Sequence, residues 1–569
     1  MLPTRTTYQR SFVRADVVAG LTVWAVLIPE SLAYATIAGV SPVVGLYAAV
    51  PALVLYGLIG SSRHLVVATM SATATLSASI VADYTIHSPD KFVVVTAALA
   101  ITTGLLGLLA GVLRLGFLAS FISEPVLKGF IVGLALTILI GQVPKLLGVP
   151  KGEGDFFEQL WDLVRHLGDV DGLTVLVGGL SLFAVLALRR WLPLVPGSLV
   201  VVLAAIAAVA IWNLDADGLA IVGPITSGLP EVGLPSGVSA KEYLDLAASA
   251  VGVLLIGYAE GLGAAKTYAV RDGYDIDANR ELLGLGAANL GAGLASGMVV
   301  NGSLSKTAVN GGAGARSQLS GLTVAVLTVI TLLFLTGLFE NLPEATLAAV
   351  VIAAVIELVD IPALRRLYGV WSSSLASVYG WGTRVDFIAA IAAMLGVLVF
   401  DTLPGLFIGI GVSILLLLYR STQPHVARLT RSASDTWVDV ERHPDLPVDQ
   451  RVVVVRVEAS LLFVNADHIR SRIRAMATDQ VRLVVLDAET TPAIDVTATE
   501  MLATLARDLE RTDIRFALAH GIGQTRDVLR TAGADDVALT GYTSVDEAIA
   551  ALEPPISTEP EHPDQPPAP

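Results

Sequence analysis

There is no cysteine anywhere in the 569 residues. Disulfides, thiolate metal sites and cysteine nucleophiles are therefore excluded. Charge is scarce as well: 15% of residues are charged, where a soluble protein carries about 25%. The basic residues are outnumbered 36 to 51, giving a net charge of −15. That balance argues against nucleic acid as a partner. It does not argue against an anionic substrate, because a site meets its ligand through local fields rather than average charge. The eight histidines show no metal-ligand spacing. The glycine-rich stretch from Gly284 to Gly297 lacks a following Lys-Ser/Thr in P-loop register and reads as a helix-packing face. No nucleophile–base constellation stands out, so no enzyme activity, catalytic residue, metal or cofactor is expected.

What the chain has in quantity is apolar residues, 54% of the total, with a mean hydropathy of +0.70. Runs of about 20 apolar residues recur up to about residue 420, as spanning helices require. The first run shows no cleavage signal and leads into more runs, so it reads as a span. Fourteen segments are expected, near residues 15–37, 42–60, 65–82, 92–113, 117–147, 173–191, 197–212, 244–268, 280–298, 302–312, 318–338, 344–360, 384–400 and 403–420. The third and tenth are too short or too polar for ordinary spans. Arg5, Arg10 and Arg14 precede the first segment. With fourteen spans, Arg63, Arg114, Arg190, Arg271, Arg316 and Arg420 fall on that same side. The opposite connections are acidic or neutral. The positive-inside rule then predicts cytoplasmic N- and C-termini in a cell membrane.

Composition changes after Tyr419. Residues 421–450 read as a polar linker. From 451 to 553, valine-rich runs (Val452 to Val457, Leu483 to Leu486, Ile514 to Ala519) alternate with helical patterns near 466–477, 496–511 and 523–532. This predicts a small α/β domain with a central sheet. The tail 554–569 is acidic and proline-rich, and disorder is expected there. The chain thus divides into an N-terminal segment (1–14), a transport domain (15–420), a linker, a soluble domain and a tail.

An internal repeat points at a site. Glu30-Ser31-Leu32-Ala33 in the first segment resembles Glu260-Gly261-Leu262-Gly263 in the eighth. Forty-one residues after Glu30 comes Ser71-Ala72-Thr73-Ala74-Thr75, and forty-three after Glu260 comes Ser303-Leu304-Ser305-Lys306-Thr307. Inverted repeats of this kind locate the substrate site of many transporters. Leu65 to Ala68 and Met298 to Asn301 read as extended stretches, each followed by a helix start with serine near the cap. A helix that begins inside the membrane presents free N–H groups and a positive dipole end. Two such starts facing each other form an anion site without many basic side chains. The expected substrate-binding residues are Thr69, Met70, Ser71, Ala72 and Thr73 with Asn301, Gly302, Ser303, Leu304 and Ser305. The alternative role for these small residues is tight helix packing.

An acid at mid-bilayer costs about 2.5–3.5 kcal/mol, which makes it a functional hypothesis by default. Glu260 reads as the coupling residue, carrying a proton or binding Na+; its alternative is a structural ion pair with Lys266 or Lys306. Glu30 is the symmetric candidate, or else a group that bonds a helix break. Lys306 supplies positive potential for the anion, or balances Glu260.

Several motifs are specific. They are Ala19-Gly20-Leu21-Thr22 leading to Ile28-Pro29-Glu30-Ser31-Leu32-Ala33-Tyr34-Ala35, Gly60-Ser61-Ser62-Arg63, Arg114-Leu115-Gly116-Phe117, Asp277-Ala278-Asn279-Arg280-Glu281-Leu282 and Gly302-Ser303-Leu304-Ser305-Lys306-Thr307-Ala308-Val309-Asn310. With these the chain resembles the SulP sulfate-permease family of anion transporters with a C-terminal STAS domain. The resemblance implies an all-α polytopic membrane domain of about fourteen spans in a seven-plus-seven inverted repeat, followed by the α/β STAS domain. It implies a homodimer, core and gate subdomains that shift in an elevator-like manner, and coupling to protons or Na+ or anion exchange. It places the anion between Thr69–Thr73 and Asn301–Ser305, with the acidic position at Glu260. Three residues depart from the family pattern: Glu30 stands where Gln is common, Asn301 for Thr and Lys306 for Arg. In the soluble domain, Val496 of Ile494-Asp495-Val496-Thr497 stands where phosphorylated soluble relatives carry Ser. The leading expectation is proton-coupled sulfate transport. The alternatives are Na+-coupled bicarbonate or proton-coupled C4-dicarboxylate transport, and, in another class, a membrane-anchored signalling module whose STAS domain recruits a cytoplasmic partner.

Overall fold

The computed structural model describes residues 10–552 apart from 86–90, 118–122, 153, 193–194, 357–358, 372–384, 401, 522 and 532–540. The expected tail 554–569 lies outside the described residues. Two compact units divide the chain. One runs to Trp371 and includes Asp386–Ile414; the other takes the rest, chiefly Leu415 onward.

The first unit is helical. In chain order come α1 (Phe12–Ile37), α2 (Pro42–Ile59), the short strand β1 (Val66–Ala68), α3 (Ser71–Thr85), α4 (Phe92–Val112), α5 (Glu124–Leu147), α6 (Phe156–Arg165), α7 (Gly172–Trp191), α8 (Gly197–Trp212), α9 (Ala240–Asp245), α10 (Ala247–Asp272) and α11 (Ala278–Leu294). Strand β2 (Asn301–Ser303), α12 (Leu304–Gly312), α13 (Leu319–Ile330), α14 (Glu344–Ile356), α15 (Ile361–Trp371), α16 (Val385–Phe400) and α17 (Thr402–Thr422) complete it, α17 running on into the second unit. Each of the fourteen apolar segments read from the sequence carries a helix. Among the described residues, nine helices are long and apolar enough to cross a membrane, and α8 and α16 are shorter apolar helices. The chain is therefore a polytopic membrane protein. The segment expected at 117–147 is helical from Glu124, with Pro in its first turn, where a missing N–H costs nothing.

The glycine-rich face of α11 does what a packing face does. A Cβ on Gly286 would lie 2.5 Å from the backbone nitrogen of Leu108, and one on Gly104 would clash with that of Leu290. Helices α4 and α11 therefore meet backbone to backbone, as small residues permit in lipid.

The second unit is an α/β domain. Strands β3 (Val426–Arg431), β4 (Trp437–Asp439), β5 (Val452–Val457), β6 (Leu483–Asp487), β7 (Arg515–Ala519) and β8 (Gly541–Tyr542) form one sheet in the order β4-β3-β5-β6-β7-β8. Its helices are α18 (Ala466–Met476), α19 (Val496–Glu510), α20 (Gly523–Thr531) and α21 (Val545–Leu552). Strands β5 to β8 are parallel, and β3 joins β5 antiparallel. The segment 421–450 is thus not a linker: it supplies two strands. Its polar residues hid the strand Val-Ala-Arg-Leu-Thr-Arg, which runs along the side of β5 away from β6. Asp495 caps α19 by accepting from Ala498 N at 2.8 Å, and Val496 is exposed just after it. Asp487, Glu489 and His520 gather at the carboxyl ends of the parallel strands. Arg456 meets both carboxylates, at 2.6 and 2.9 Å, so the group is an ion-pair cluster.

Candidate functional site

The two interruptions predicted inside the membrane unit are real, and they touch. β1 pairs antiparallel with β2, with Val66 opposite Ser303, Val67 opposite Gly302 and Ala68 opposite Asn301. Val66 N donates to Thr307 Oγ1 at 3.1 Å. Asn289 of α11 holds the stretch before β2, accepting from Val300 N at 3.0 Å and donating to Val300 O at 3.0 Å. Gln318 holds the stretch before β1, donating to Ser62 O and Leu65 O at 2.9 Å each. Every polar group of these extended segments that lies in apolar surroundings needs such a partner.

Two helices start from this pair. Ser303 caps α12, its Oγ accepting from Lys306 N at 3.2 Å and lying 3.2 Å from Ser305 Oγ. On the other side Met70 occupies the cap place, since its carbonyl accepts from Ala74 N. Ser71 is the first helical residue of α3, not its cap. Thr69, Met70, Ser71, Ala72 and Thr73 are all buried, whereas Leu304 and Ser305 are exposed. The α12 face of the pair is thus the open one.

Glu260 sits on α10, half-buried, and accepts from Asn301 Nδ2 at 3.1 Å; Asn301 Oδ1 accepts from Gly302 N at 2.6 Å. The approach of α10 requires glycine at two positions. A Cβ on Gly302 would lie 2.7 Å from Gly261 Cα, and one on Gly257 would lie 3.1 Å from Asn301 Oδ1. Overpacking of this kind costs about 1–3 kcal/mol. Gly302→Ala is therefore expected to lower the melting midpoint and to weaken anion binding by about fivefold or more. Unchanged binding by equilibrium dialysis would show that the contact does not shape the site.

The sequence reading offered Lys306 the anion or Glu260. The structure pairs it with Glu30, Nζ to Oε2 at 2.7 Å, the two side chains 1% and 3% exposed. Lys306 Nζ also donates to Thr69 O at 3.2 Å and lies 4.9 Å from the centroid of the Tyr34 ring. Thr69 Oγ1 donates to Ser31 Oγ at 3.0 Å. Asn289 and Gln318 escaped the sequence reading, and Ser31, Tyr34 and Thr307 stood in its motifs without an assigned partner. Their one visible signal was polarity inside apolar helices, which hydroxyls and amides give only weakly.

The remaining motifs meet at one end of α11. Glu281 is buried and accepts from Ser61 N (2.8 Å), Ser61 Oγ (2.6 Å), Ser62 N (3.0 Å) and Tyr56 OH (2.7 Å). Asn279 Oδ1 accepts from Gly116 N at 2.9 Å. Tyr258 OH lies 2.9 Å from both Gly116 O and Ala278 O. Two loops and helix α10 are thereby fastened to the helix that holds β2.

A model of the sulfate permease family matches residues 13–378, and a STAS domain model matches residues 443–548. The chain belongs to the sulfate permease family. A probable sulfate transporter of Mycobacterium tuberculosis is 37% identical over 95% of this chain and 96% of its own. Sulfate transporter 4.1 of Arabidopsis thaliana is 28% identical over 90% of this chain and 76% of its own. In fold, the chain matches the murine Solute Carrier 26 family member A9 anion transporter with a TM-score of 0.84, at 21% identity, covering 96% of this chain and 93% of that one. As a sulfate permease family member it is a membrane transporter of anions rather than an enzyme, and its soluble unit is a STAS domain, an interaction module.

Proposed function

We propose that the chain is a secondary active transporter that moves sulfate across the plasma membrane with protons. The observation that carries this reading is the antiparallel pair β1–β2 with a helix starting from each strand. Between them, free N–H groups and two dipole ends favour a small anion. Thr69 to Thr73 and Asn301 to Ser305 form the site, Lys306 adds positive potential, and Glu260 and Glu30 are the coupling acids. The relatives' names, which include sulfate transporters, support the substrate.

The architecture we propose has fourteen spans in a seven-plus-seven inverted repeat, both termini cytoplasmic, two chains per assembly, and an elevator-like shift of the core. The near-equal spacing of Glu30 to Ser71 and of Glu260 to Ser303 supports the repeat, and two inverted copies would meet through an antiparallel pair such as β1–β2. In this reading the membrane domain spans residues 15–420, and the STAS domain gathers β3 and β4 as well as 451–553.

Purified protein in liposomes is expected to accumulate labelled sulfate, faster with an inward proton gradient. Competition by bicarbonate and fumarate ranks the anions. Absence of uptake of all three, under proton and Na+ gradients alike, would refute the transporter reading.

A further inference from the structure

The Glu30–Lys306 pair lies between α1 and the first turn of α12, at the point where a substrate anion would look for positive charge. Lys306 is the cation there: its backbone N–H caps on Ser303 and its ammonium reaches Thr69 O at the end of β1. Glu30 cancels that cation at 2.7 Å. The contact is close but not aligned as a hydrogen bond, and among the described residues no donor satisfies the Glu30 oxygen that faces Lys306. A buried carboxylate held this way is an incompletely satisfied anion sitting where the substrate should sit.

Among the described residues, the helices packed on α1 offer Glu30 no counter-charge besides Lys306. Helices α2, α8 and α13, which pack on α1, carry no Asp, Glu, Lys, Arg or His. Asp83 lies near the far end of α3, and Glu344 at the start of α14 is paired with Lys145 at 3.5 Å. Tyr34, one turn along α1, faces Lys306 with its ring. A substrate anion drawn to Lys306 would therefore face an adjacent like charge, and a Glu30 carboxylate that loses its share of the ammonium would be an unpaired buried ion. Such an ion costs several kcal/mol, and protonation removes the cost.

We infer that Glu30 is a tethered anion that cancels Lys306 in the empty site, and that substrate binds at Lys306 together with a proton that neutralises Glu30. On the side where the anion enters, an O–H bond of hydronium breaks as the carboxyl O–H forms, leaving water; on the side where the anion leaves, the carboxyl O–H breaks and water takes the proton back as hydronium. The inference rests on the anion-transport reading above and deepens it: the departure from Gln at position 30 and the departure from Arg at position 306 become one device. It also sets the site's charge: a dianion enters with neutralising protons and not alone.

The test is direct binding of labelled sulfate to the full chain in detergent, with proton uptake read by an indicator dye in weak buffer. Glu30→Gln is expected to bind sulfate about tenfold more tightly at neutral pH and to take up about one proton fewer per sulfate. In a Lys306→Gln background the same change is expected to give no tightening, the signature of a pairwise effect. Glu260→Gln leaves the pair untouched and still takes up about one proton per sulfate. A merely structural ion pair predicts the opposite: weaker binding in Glu30→Gln and an unchanged proton count. Either of those results, equal tightening in both backgrounds, or no proton uptake in Glu260→Gln overturns the inference while leaving anion transport standing. If the wild type binds no sulfate at any pH, the sulfate-transport reading falls first and this inference with it.

Discussion

Glu281→Ala is expected to cost the protein much of its stability, and Glu281→Gln far less. Four donors converge on this one buried carboxylate: two backbone N–H groups, a serine hydroxyl and a tyrosine hydroxyl. Truncation to alanine leaves all four with no acceptor. Each orphaned buried donor costs about 1–3 kcal/mol, and the loss of an internal charge returns part of the sum. A net loss of about 4 kcal/mol is a large share of a typical total of about 5–15 kcal/mol. Glutamine keeps an oxygen for Ser61 N, Ser61 Oγ and Ser62 N, and its amide can donate to the Tyr56 oxygen. Only the tyrosine proton then lacks its acceptor. The melting midpoint is expected to fall by about 10 °C or more in Glu281→Ala and by a few degrees in Glu281→Gln, as followed by thermal size-exclusion. If the two variants melt together, the four hydrogen bonds do not carry the loop. Because Gly60 to Leu65 leads directly into β1, a loosened loop also frees one half of the anion site. Sulfate binding should therefore decline in step with stability.

Much of this arrangement was legible before the structure. The extended stretches before α3 and α12 announced themselves through short valine-containing runs followed by hydroxyl and small residues, at nearly equal distances after Glu30 and Glu260. Spacing cannot tell whether two strands forty positions into two repeats pair with each other; that depends on a two-fold arrangement in space. Glu260 and Glu30 were legible because an acid in an apolar run is costly and conspicuous. Their partners were not. The sequence offered Lys306 either the anion or Glu260, and the packing of α1 on α12 gave it Glu30 instead. Glu260 instead found Asn301. The motif from Asp277 to Leu282 was conspicuous, yet its use was invisible, because its partners Ser61, Gly116 and Tyr258 come from three other segments. The error at 421–450 has the same origin. Val426 to Arg431 lies one strand in from the sheet edge, yet its sequence mixes arginines with apolar residues too briefly to be told from a loop.

Glu260→Gln is expected to weaken proton-driven accumulation while preserving binding. Glu260 reaches the site through one amide. With the carboxyl ionised, Asn301 must present Nδ2 to it and Oδ1 to Gly302 N. That orientation ties the charge on α10 to the backbone of β2, one residue before the Ser303 cap. A proton on Glu260 gives it a donor of its own. The amide can then satisfy that donor only by turning, and turning puts Nδ2 against the Gly302 N–H, donor to donor. The protonated and ionised acids thus favour different arrangements of the strand from which α12 starts, which is what coupling requires: a proton with a differential effect on the two states. Each proton carried with the anion multiplies the attainable concentration ratio by about ten per unit of pH gradient, so removing one carrier divides it by about ten. In liposomes with a one-unit inward gradient, Glu260→Gln should accumulate about tenfold less sulfate than the wild type at steady state. Its sulfate affinity at low pH should change by less than about threefold, since Gln donates to Asn301 as the protonated acid does. Combining it with Glu30→Gln should leave accumulation indifferent to the gradient. Full accumulation by Glu260→Gln alone would take the acid on α10 out of the coupling and leave Glu30 as the proton's only seat.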